Sequence, residues 1–406
     1  MAIIDINPGK QVRDRWDRRL AIFAIATIIL AWMAGALINH RVPPDCRTVL
    51  PEAQLCRPRG EFYEGVILNS DQTETVVGWA AISEANGYAG PVQVMLGIDP
   101  AGKVTGIDVL SHTETPSFYE KVANTDFFEQ FVGKQSNAPF VLGNDLDGVT
   151  RATFTSRAIS DAVREAGSLL AEEKTSLTVV REPQSIKFGL PEIVLILLYA
   201  VGFVAHRGGF RYKTIVRWAM MLTGMIVLGF TFNLPFTIAH FNSLLIGFWP
   251  DWHTDLYWFL LVGGILFVVT VDNKNPYCQW FCPFGAAQEC LGAIGGAKLY
   301  HPGKYRYLLK NVQRFLAWSA IILGVLFRNP GFSSYEIFGA LFSFNAATLQ
   351  WVVLIVILLL SLFVKRPWCE FLCPIDPIID LIHAIQRWIQ EALRKWNKKP
   401  NPAAES

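Results

Sequence analysis

Charged residues are scarce in this chain, and several common sequence signatures are missing from it. Asp, Glu, Lys and Arg make up 17% of its 406 residues, against about 25% in a typical soluble domain. It has no dinucleotide-binding glycine pattern, no P-loop and no nucleophile elbow, which disfavours NAD and ATP chemistry. It has instead 52% hydrophobic residues, with 13 Trp and 28 Phe. This composition is typical of a membrane protein that also carries a water-soluble part.

Several apolar segments approach the length of a helix that crosses the hydrocarbon core, about 20 residues. The six segments are 20–38, 189–205, 214–233, 254–271, 313–327 and 350–364. Two shorter stretches, 235–249 and 334–345, are predicted to be re-entrant or interfacial. Buried helices of a soluble protein are the alternative for all six, and a cleaved signal peptide is the alternative for the first.

Basic residues alternate between the loops that join these segments. Lys and Arg are absent from the loops 234–253 and 329–349, but they cluster in 206–217, in 272–314 and in both tails. Because basic loops stay in the cytoplasm, this pattern predicts six spans with both termini inside. Residues 40–188 then lie in the periplasm, and the protein is a multi-pass protein of a bacterial inner membrane.

The same pattern divides the chain into five parts. We predict a cytoplasmic N-terminal tail (1–19), a first transmembrane helix (20–38), a periplasmic α+β domain (39–188), a five-span membrane domain (189–373) and a cytoplasmic tail (374–406). The last part reads as a basic amphipathic helix, which favours contact with anionic membrane lipid. Within the periplasmic part, residues 60–110 read as strands, and 117–122 and 125–133 read as helical.

Hydroxyl side chains crowd together where an amphipathic helix is predicted to begin, near Arg157. They belong to Thr150, Thr153, Thr155 and Ser156. The N-terminus of a helix binds anions, phosphate above all, so the cluster would suit a phosphate ester. An ordinary helix cap provided by Thr155 or Ser156 is the simpler alternative.

Two of the seven cysteines, Cys46 and Cys56, follow the first span on the oxidising side of the membrane. A disulfide between them is expected in that compartment. Two unpaired structural cysteines are the alternative.

Two Cys-x-x-x-Cys-Pro runs follow the fourth and sixth apolar segments. They contain Cys278 with Cys282, and Cys369 with Cys373. This spacing places both sulfurs of a pair on one helical face, and each proline is predicted to end or kink its helix. Four thiolates at one membrane face are able to bind a metal or an iron–sulfur cluster, or to form a redox-active dithiol system. Buried structural cysteines are the alternative, and Cys290 is interpreted as one.

The run DGVTRAT, from Asp147 to Thr153, resembles the flavinylation motif Asp-x-x-Ser/Thr-Gly-Ala-Thr. That motif occurs in FMN-binding domains of Rnf and sodium-pumping quinone reductase subunits, and of NosR/NirI and PceC proteins. There, a flavin transferase joins the last threonine to the FMN phosphate, so the resemblance implies covalent FMN on Thr153. Arg151 stands where glycine is usual. The other cofactor-binding residues implied are Asp147, Thr150, Ala152, Thr155 and Ser156.

A second run, HTETP, is similar to the His-x-Glu-Thr-Pro run near the isoalloxazine ring in the same domains. The resemblance implies that His112, Glu114 and Thr115 bind the flavin. The family usually continues with Gly-Leu-Gly, whereas this chain continues with Ser-Phe-Tyr. An ordinary polar turn before a helix is the alternative.

Over nearly its whole length the chain resembles the NosR/NirI/PceC-like membrane flavoproteins. No cysteine follows Cys373, so it resembles a short form without the ferredoxin-like domain. The expected fold is an α-helical polytopic membrane protein of about six spans with an extracytoplasmic α+β FMN-binding domain. How electrons would cross about 30 Å of hydrocarbon between flavin and cysteines is left open.

The resemblance implies electron transfer from the quinone pool, or from a cytoplasmic-side cysteine or metal centre, to a periplasmic reductase or cytochrome. Oxidation of quinol by this chain is left open as an enzymatic role. A maturation or regulatory factor for a periplasmic metalloreductase is the alternative, and a cofactor-free binding module is a third. The expected partners are membrane lipid, quinone or quinol, the periplasmic acceptor and the flavin transferase, and no nucleic acid is expected.

Overall fold

The computed structural model covers most of the chain. It describes residues 8–38, 44–69, 73–87, 90–150, 152–175, 177–179, 186, 188–207, 212–272, 276–300 and 303–397. Arg151, the departure from the flavin motif, lies outside the described residues, as do parts of two basic loops, at 208–211 and 273–275.

An antiparallel sheet and one long helix form the domain that follows the first helix. The strands are β1 (Leu55–Arg59), β2 (Phe62–Leu68), β3 (Glu74–Asn86), β4 (Pro91–Ile98) and β5 (Val104–His112). They lie side by side in chain order, and each pairs antiparallel with the next. Two helices follow them, α2 (Pro116–Ala123) and α3 (Thr153–Leu170). The prediction of an α+β domain is confirmed.

The sequence of α3 explains why this helix lies on the sheet. Ile159, Val163 and Leu170 recur at helical spacing, and all three are fully buried. They pack in one cluster with Leu96 and Ile98 of β4. Burial of each such side chain stabilises the domain by about 1.5–3 kcal/mol. The packing fixes the start of α3 relative to the strand that ends at His112.

Two predictions about this domain were wrong in detail. The run 125–133 forms only a short 3-10 turn, Phe128–Gln130, because its aromatic side chains insert into the core as a plug. Helix α3 begins at Thr153 rather than near Arg157, with Ala152 as its N-cap residue. Thr155 and Ser156 therefore lie in the first turn and are not caps.

The structure joins Cys46 and Cys56 in a disulfide, with their Cα atoms 5.7 Å apart. The bond ties the turn Cys46–Thr48 to β1. Val49 and Leu50, just after this turn, pack with Met95 on the face of the sheet opposite α3. The segment between the first helix and β1 thus covers the second face of the sheet.

Helices make up the rest of the described chain. Before the sheet stands α1 (Pro8–Ile38), and after it come α4 (Leu190–Arg207), α5 (Lys213–Thr223), which continues as a π-helix (Gly224–Thr231), α6 (Ile238–Ile246), α7 (Leu256–Asp272), a π-helical turn (Tyr277–Phe281), α8 (Pro283–Gly295), α9 (Arg306–Leu326), α10 (Phe338–Phe342), α11 (Thr348–Ser361), α12 (Pro367–Phe371) and α13 (Ile375–Asn397). Each of the six predicted apolar segments lies in one of the longer helices.

Fewer of these helices than predicted have the length and apolarity of a membrane span. Two of them do, Arg18–Ile38 and Lys213–Thr231. Three further apolar helices are shorter: Leu190–Ala205, Leu256–Val271 and Thr348–Ser361. The structure therefore contains the predicted helical part, but the count of six spans stays a prediction.

The stretches 235–249 and 334–345 enter the helical part as short helices with irregular flanks. Their backbone groups pair with side chains of neighbouring helices: the Phe236 N–H donates to the Tyr277 hydroxyl at 2.8 Å, and the Tyr257 hydroxyl donates to the Leu234 carbonyl at 3.0 Å. Irregular backbone at membrane depth requires such protein partners. The pairing is what a re-entrant segment needs.

Candidate functional site

Thr153, the predicted flavin attachment residue, is the first residue of α3, and its side chain is exposed. A helix start presents backbone N–H groups and the positive end of the helix dipole to an anion. Ala152 provides no side-chain cap there, so no side chain of the N-cap residue competes for those groups. A phosphate ester on Thr153 would lie at this helix end.

Hydrogen bonds join the two flavin motifs to each other and shape the loop before α3. The Thr155 hydroxyl donates to a carboxylate oxygen of Glu114 at 2.5 Å, and both side chains are buried. One residue further along the helix, the Ser156 hydroxyl accepts from the Val149 N–H at 3.2 Å. Thr155 and Ser156 therefore organise the site from within, behind the exposed Thr153.

The remaining residues of the DGVTRAT run lie around this helix start. Asp147 is exposed, and its backbone N–H donates to the Gln130 side chain at 2.7 Å. Thr150 is exposed and Ala152 is buried. An exposed Asp147 is accessible to a modifying enzyme, as the motif requires.

His112 lies at the end of β5, and its ring stacks on Tyr119 with centroids 3.7 Å apart. Burial lowers the pKa of His112, which favours the neutral imidazole at neutral pH. Its Nδ1 atom is buried and has no hydrogen-bond partner. A buried polar atom without a partner is unfavourable, so this nitrogen fits a site that receives a polar ring such as flavin. Thr115, which precedes α2, lies beside it.

The segment 329–331 of the helical part packs against the HTETP run. The Asn329 side chain donates to the His112 carbonyl at 3.1 Å. A Cβ atom on Gly331 would lie 2.5 Å from the Thr113 carbonyl, so the approach is too close for any other residue. From the other motif, Phe154 packs against the main core of the helical part. The two flavin motifs thus face the helical part.

A small pocket lies where the HTETP run meets the helical part. Its lining includes Thr115 and Phe118 from the α+β domain, and Glu336 and Phe338 from the re-entrant stretch. Glu336 is 5% exposed, and its carboxylate accepts from the Ile238 N–H at 2.6 Å and from the Ser334 hydroxyl at 3.1 Å. Burial raises the pKa of Glu336 from 4.5 to about 7. The carboxyl group can therefore take up or release a proton near neutral pH.

Replacing Glu336 with glutamine is expected to remove a pH-dependent loss of stability. Because its pKa is higher in the folded state, the stabilising contribution of Glu336 is complete below about pH 4.5 and is lost as the pH rises through about 7. The loss amounts to at most about 3 kcal/mol. Glutamine keeps the acceptor for the Ile238 N–H and does not ionise, so the variant should melt higher than wild type at about pH 8 and similarly at about pH 5.

Thermal denaturation of the detergent-solubilised chain across this pH range measures the effect. The exposed Glu52→Gln change is the matched control and should follow wild type. A Glu336→Gln profile parallel to that of wild type at every pH would show that Glu336 does not titrate in this range.

The Cys-x-x-x-Cys-Pro runs form two tight turns in the helical part. Cys278 lies in the π-helical turn and Cys282 caps α8, while Cys369 lies in α12 and Cys373 follows it. The prediction that each proline ends or kinks a helix was wrong. Pro283 is the first residue of α8, where its missing N–H and fixed φ are tolerated, and the other proline directly precedes α13.

Two buried amide side chains organise the cysteine runs. The Gln288 Nε2 donates to the Cys369 sulfur at 3.3 Å, and its Oε1 accepts from the Trp368 N–H at 2.9 Å. The Gln313 Nε2 donates to the Cys373 carbonyl at 2.9 Å. Gln288 comes from α8 and Gln313 from α9, so both helices hold the second run in place against the first.

A charge cluster lies beside the same cysteines. The Arg366 guanidinium donates to the Cys278 carbonyl at 2.6 Å. It also pairs with Glu289 at 2.8 Å, and Glu289 binds Arg217 at 2.5 Å. Two arginines against one glutamate leave net positive charge beside the thiols, which favours an anionic, thiolate-ligated group.

The chemistry of the four thiols fits an iron–sulfur cluster. Cys278, Cys282, Cys369 and Cys373 interact electrostatically with one another. Among the described residues, however, no three metal-ligating side chains are placed to hold a single metal ion. One tetrahedral ion would need sulfurs about 3.8 Å apart, whereas a multi-iron cluster spreads its thiolates more widely. The buried Trp368 Nε1–H has no partner and could donate to a cluster sulfur.

A layer of aromatic side chains separates the cysteine runs from the flavin motifs. Phe118 abuts Gly339, 3.6 Å from where a Cβ atom would lie. The neighbouring Phe338 ring lies 5.0 Å, centroid to centroid, from that of Phe284, and 6.4 Å from that of Trp368. Phe284 is two residues after Cys282, and Trp368 directly precedes Cys369. The cysteine runs are therefore close to the flavin motifs.

This proximity differs from the sequence-based arrangement, which separates the two sites by the hydrocarbon. The Tyr335 hydroxyl, in the loop assigned to the outer side, donates to the Leu372 carbonyl within the second cysteine run at 3.0 Å. The reason is that the stretch 334–345 folds inward as α10. Sequence reasoning missed Gln288, Gln313 and Glu336, although a polar residue inside an apolar helical pattern is a usable signal.

Comparison with known proteins agrees with this division into two sites. Residues 87–168 match the family model of an FMN-binding domain, and residues 254–301 and 347–399 match that of a 4Fe-4S binding domain. The first range contains both flavin motifs, and the other two contain one cysteine run each. FMN and an iron–sulfur cluster are thus confirmed as cofactors, and the 4Fe-4S match decides among the alternatives left open for the cysteines.

Curated relatives are components of ion-translocating redox complexes, and in each complex the matching component is the one designated G. That of the ion-translocating oxidoreductase complex of Vibrio vulnificus is 40% identical over 88 residues, 20% of this chain and 42% of that protein. That of the Na(+)-translocating ferredoxin:NAD(+) oxidoreductase complex of Acetobacterium woodii is 33% identical over 127 residues, 29% of this chain and 60% of that protein. The proton-translocating counterpart of Clostridium ljungdahlii is 29% identical over 107 residues, 25% of this chain and 56% of that protein.

The chain spans about half the length of the curated relatives it matches. Together with the two domain matches, they support a flavoprotein in electron transfer. The narrower resemblance to NosR/NirI and PceC proteins stays a prediction.

Proposed function

We propose that this chain is a membrane-bound electron-transfer protein that passes electrons between a 4Fe–4S cluster and covalently bound FMN. In this proposal Thr153 carries the FMN. The cluster ligands would be Cys278, Cys282, Cys369 and Cys373. The domain boundaries are those given above, with the FMN-binding domain on the periplasmic side and both termini in the cytoplasm.

The observation that carries the proposal is the aromatic layer between the two sites. Phe338 lines the pocket beside Thr115 and Phe118, and its ring also contacts Phe284 and Trp368 next to the cysteines. Two redox groups held against opposite faces of one side-chain layer would be close enough to exchange electrons. The question of transfer across the full hydrocarbon thickness does not arise in this arrangement.

The chain's own residues would have distinct roles in this transfer. Thr153 would anchor the flavin phosphate at the start of α3, while His112 and Glu114 would orient the ring. Gln288 would tune the cluster through its hydrogen bond to the Cys369 sulfur. FMN supplies the exchange of two electrons or of one electron at a time. Glu336 is the nearby group that could balance charge by holding a proton.

The electron donor in this proposal is a quinol of the bilayer, and the acceptor is a periplasmic reductase or cytochrome. A membrane location is supported by the two long apolar helices. The relatives are named as parts of multi-subunit complexes, and this supports a protein partner here as well. Maturation would need a flavin transferase.

Reconstitution into liposomes tests the proposed transfer. The purified chain, from a host that contains the flavin transferase, is inserted into vesicles with a reduced quinol, and reduction of an external cytochrome is followed. We expect reduction that requires both cofactors. Absence of reduction by protein with full flavin and iron content would contradict electron transfer, and would favour a maturation or regulatory role.

A further inference from the structure

A large cleft lies between α1, α9 and α13, apart from the two redox sites. Its volume is about 1240 Å³, and its walls include the aromatic side chains of Phe23, Phe315 and Trp318. At one end, the Trp318 indole N–H donates to the Thr27 hydroxyl at 3.0 Å and holds α1 against α9. Ligand pockets in proteins have volumes of about 300–1,000 Å³, so the cleft has room for a sizeable ligand.

Four polar atoms in the cleft lining are buried and lack partners. They are the Asn311 Oδ1, the His383 Nε2, and both the Nε2 and Oε1 of Gln386. Buried polar atoms in folded proteins almost always have a hydrogen-bond partner, because leaving one unpaired costs about 1–3 kcal/mol. Four such atoms in the lining of one cleft indicate a ligand that carries both donors and acceptors.

We propose that this cleft binds the ring of a quinone or quinol. Quinone carbonyl oxygens would accept from the Gln386 amide, while quinol hydroxyls would donate to the Asn311 and Gln386 carbonyl oxygens. His383 would pair with either form, since imidazole nitrogen can donate or accept. The aromatic walls suit a flat ring, and the apolar face of α1 suits a prenyl tail. The proposal rests on the proposed function, for which it supplies the binding site of the membrane donor.

The charges around the cleft favour a quinone over a phospholipid. Arg314 lies 3.6 Å from the Asp380 carboxylate, and Arg18 lies over the Trp388 ring. These guanidinium groups are already engaged, whereas the four unpaired atoms belong to amide and imidazole groups. Such groups match the carbonyl and hydroxyl groups of a quinone better than a phosphate.

The cleft also adjoins the cysteine runs. Asn311 and Arg314 of its lining flank Gln313, whose amide donates to the Cys373 carbonyl at 2.9 Å. Pro377, also in the lining, lies four residues after Cys373. A ring bound here would share one helical wall with the proposed cluster, as an electron donor to that cluster requires.

The test uses the full-length holoprotein in detergent and decylubiquinone as the probe, with quenching of tryptophan fluorescence as the measure of binding. In the Gln386→Leu variant we expect binding at least about tenfold weaker than in wild type, the effect of one lost hydrogen bond of about 1.4 kcal/mol. Its melting temperature should be equal or higher, because the change removes two unpaired buried atoms. The Gln93→Leu change on β4 is the matched control and should bind the probe as wild type does.

The Asn311→Leu variant provides a second, independent reading if Gln386→Leu fails to fold. Unchanged binding in the folded variant, or no binding of decylubiquinone by wild type, would overturn the inference. Displacement of a spin-labelled phospholipid, but not of the probe, by these changes would assign the cleft to lipid and also overturn it. Flavin and iron content are measured on the same samples, so that failure of the cofactor sites is distinguished from failure of the cleft.

Discussion

Replacing Thr153 with alanine should abolish the flavin that stays on the chain after denaturation. Thr153 has the exposed hydroxyl at the first position of α3, whereas Thr155 and Ser156 are buried and already hydrogen-bonded. Removal of the oxygen that carries the phosphoester leaves no bond to survive denaturation. Flavin fluorescence of the denatured chain on a gel, with mass spectrometry of the 145–160 peptide, measures the result.

Thr150→Ala is the matched control for this experiment. Thr150 is also an exposed threonine, three residues before Thr153, and its loss should leave the covalent flavin in place. Expression must be in cells that contain the flavin transferase. Denatured Thr153→Ala protein that is still fluorescent, or wild-type peptide at its bare mass, would contradict the attachment at Thr153.

Replacing Cys282 with serine is expected to remove most of the iron from the protein. The 4Fe-4S match covers both cysteine runs, so wild type should hold about four irons and four acid-labile sulfides per chain. Serine keeps the size of the side chain but lacks the thiolate that the cluster needs. We expect iron and sulfide to fall below about one per chain, with loss of the cluster's visible absorbance.

Cys290→Ser is the matched control for the cluster. Cys290 is a free cysteine of α8, outside both Cys-x-x-x-Cys-Pro runs, and its replacement should leave the iron content unchanged. Flavin content should stay at the wild-type level in both variants, because the flavin is bound by another domain. Full iron content in Cys282→Ser protein would place the cluster ligands elsewhere in the chain.

The elements of this protein and its two cofactors can be predicted from sequence because their signals are local. Apolar segments of the right length predict helices, and the six predicted segments lie in helices of the structure. The flavin and cysteine motifs are short runs with characteristic spacing, and the cofactors they indicate agree with the matched domains. Only small offsets arise, as where α3 begins at Thr153 instead of near Arg157, since helix ends depend on packing as well as on residue preference.

The relation between the two sites could not be predicted, because it depends on contacts between residues far apart in the chain. Glu114 binds Thr155, Asn329 binds His112, and Phe338 fills the space between the flavin motif and the cysteines. Charge alternation reports which loops are basic but not how deeply an uncharged loop folds inward. The short distance between flavin and cysteines, and the cleft beside them, follow from the burial of that loop among the helices, where its polar groups find protein partners in place of water.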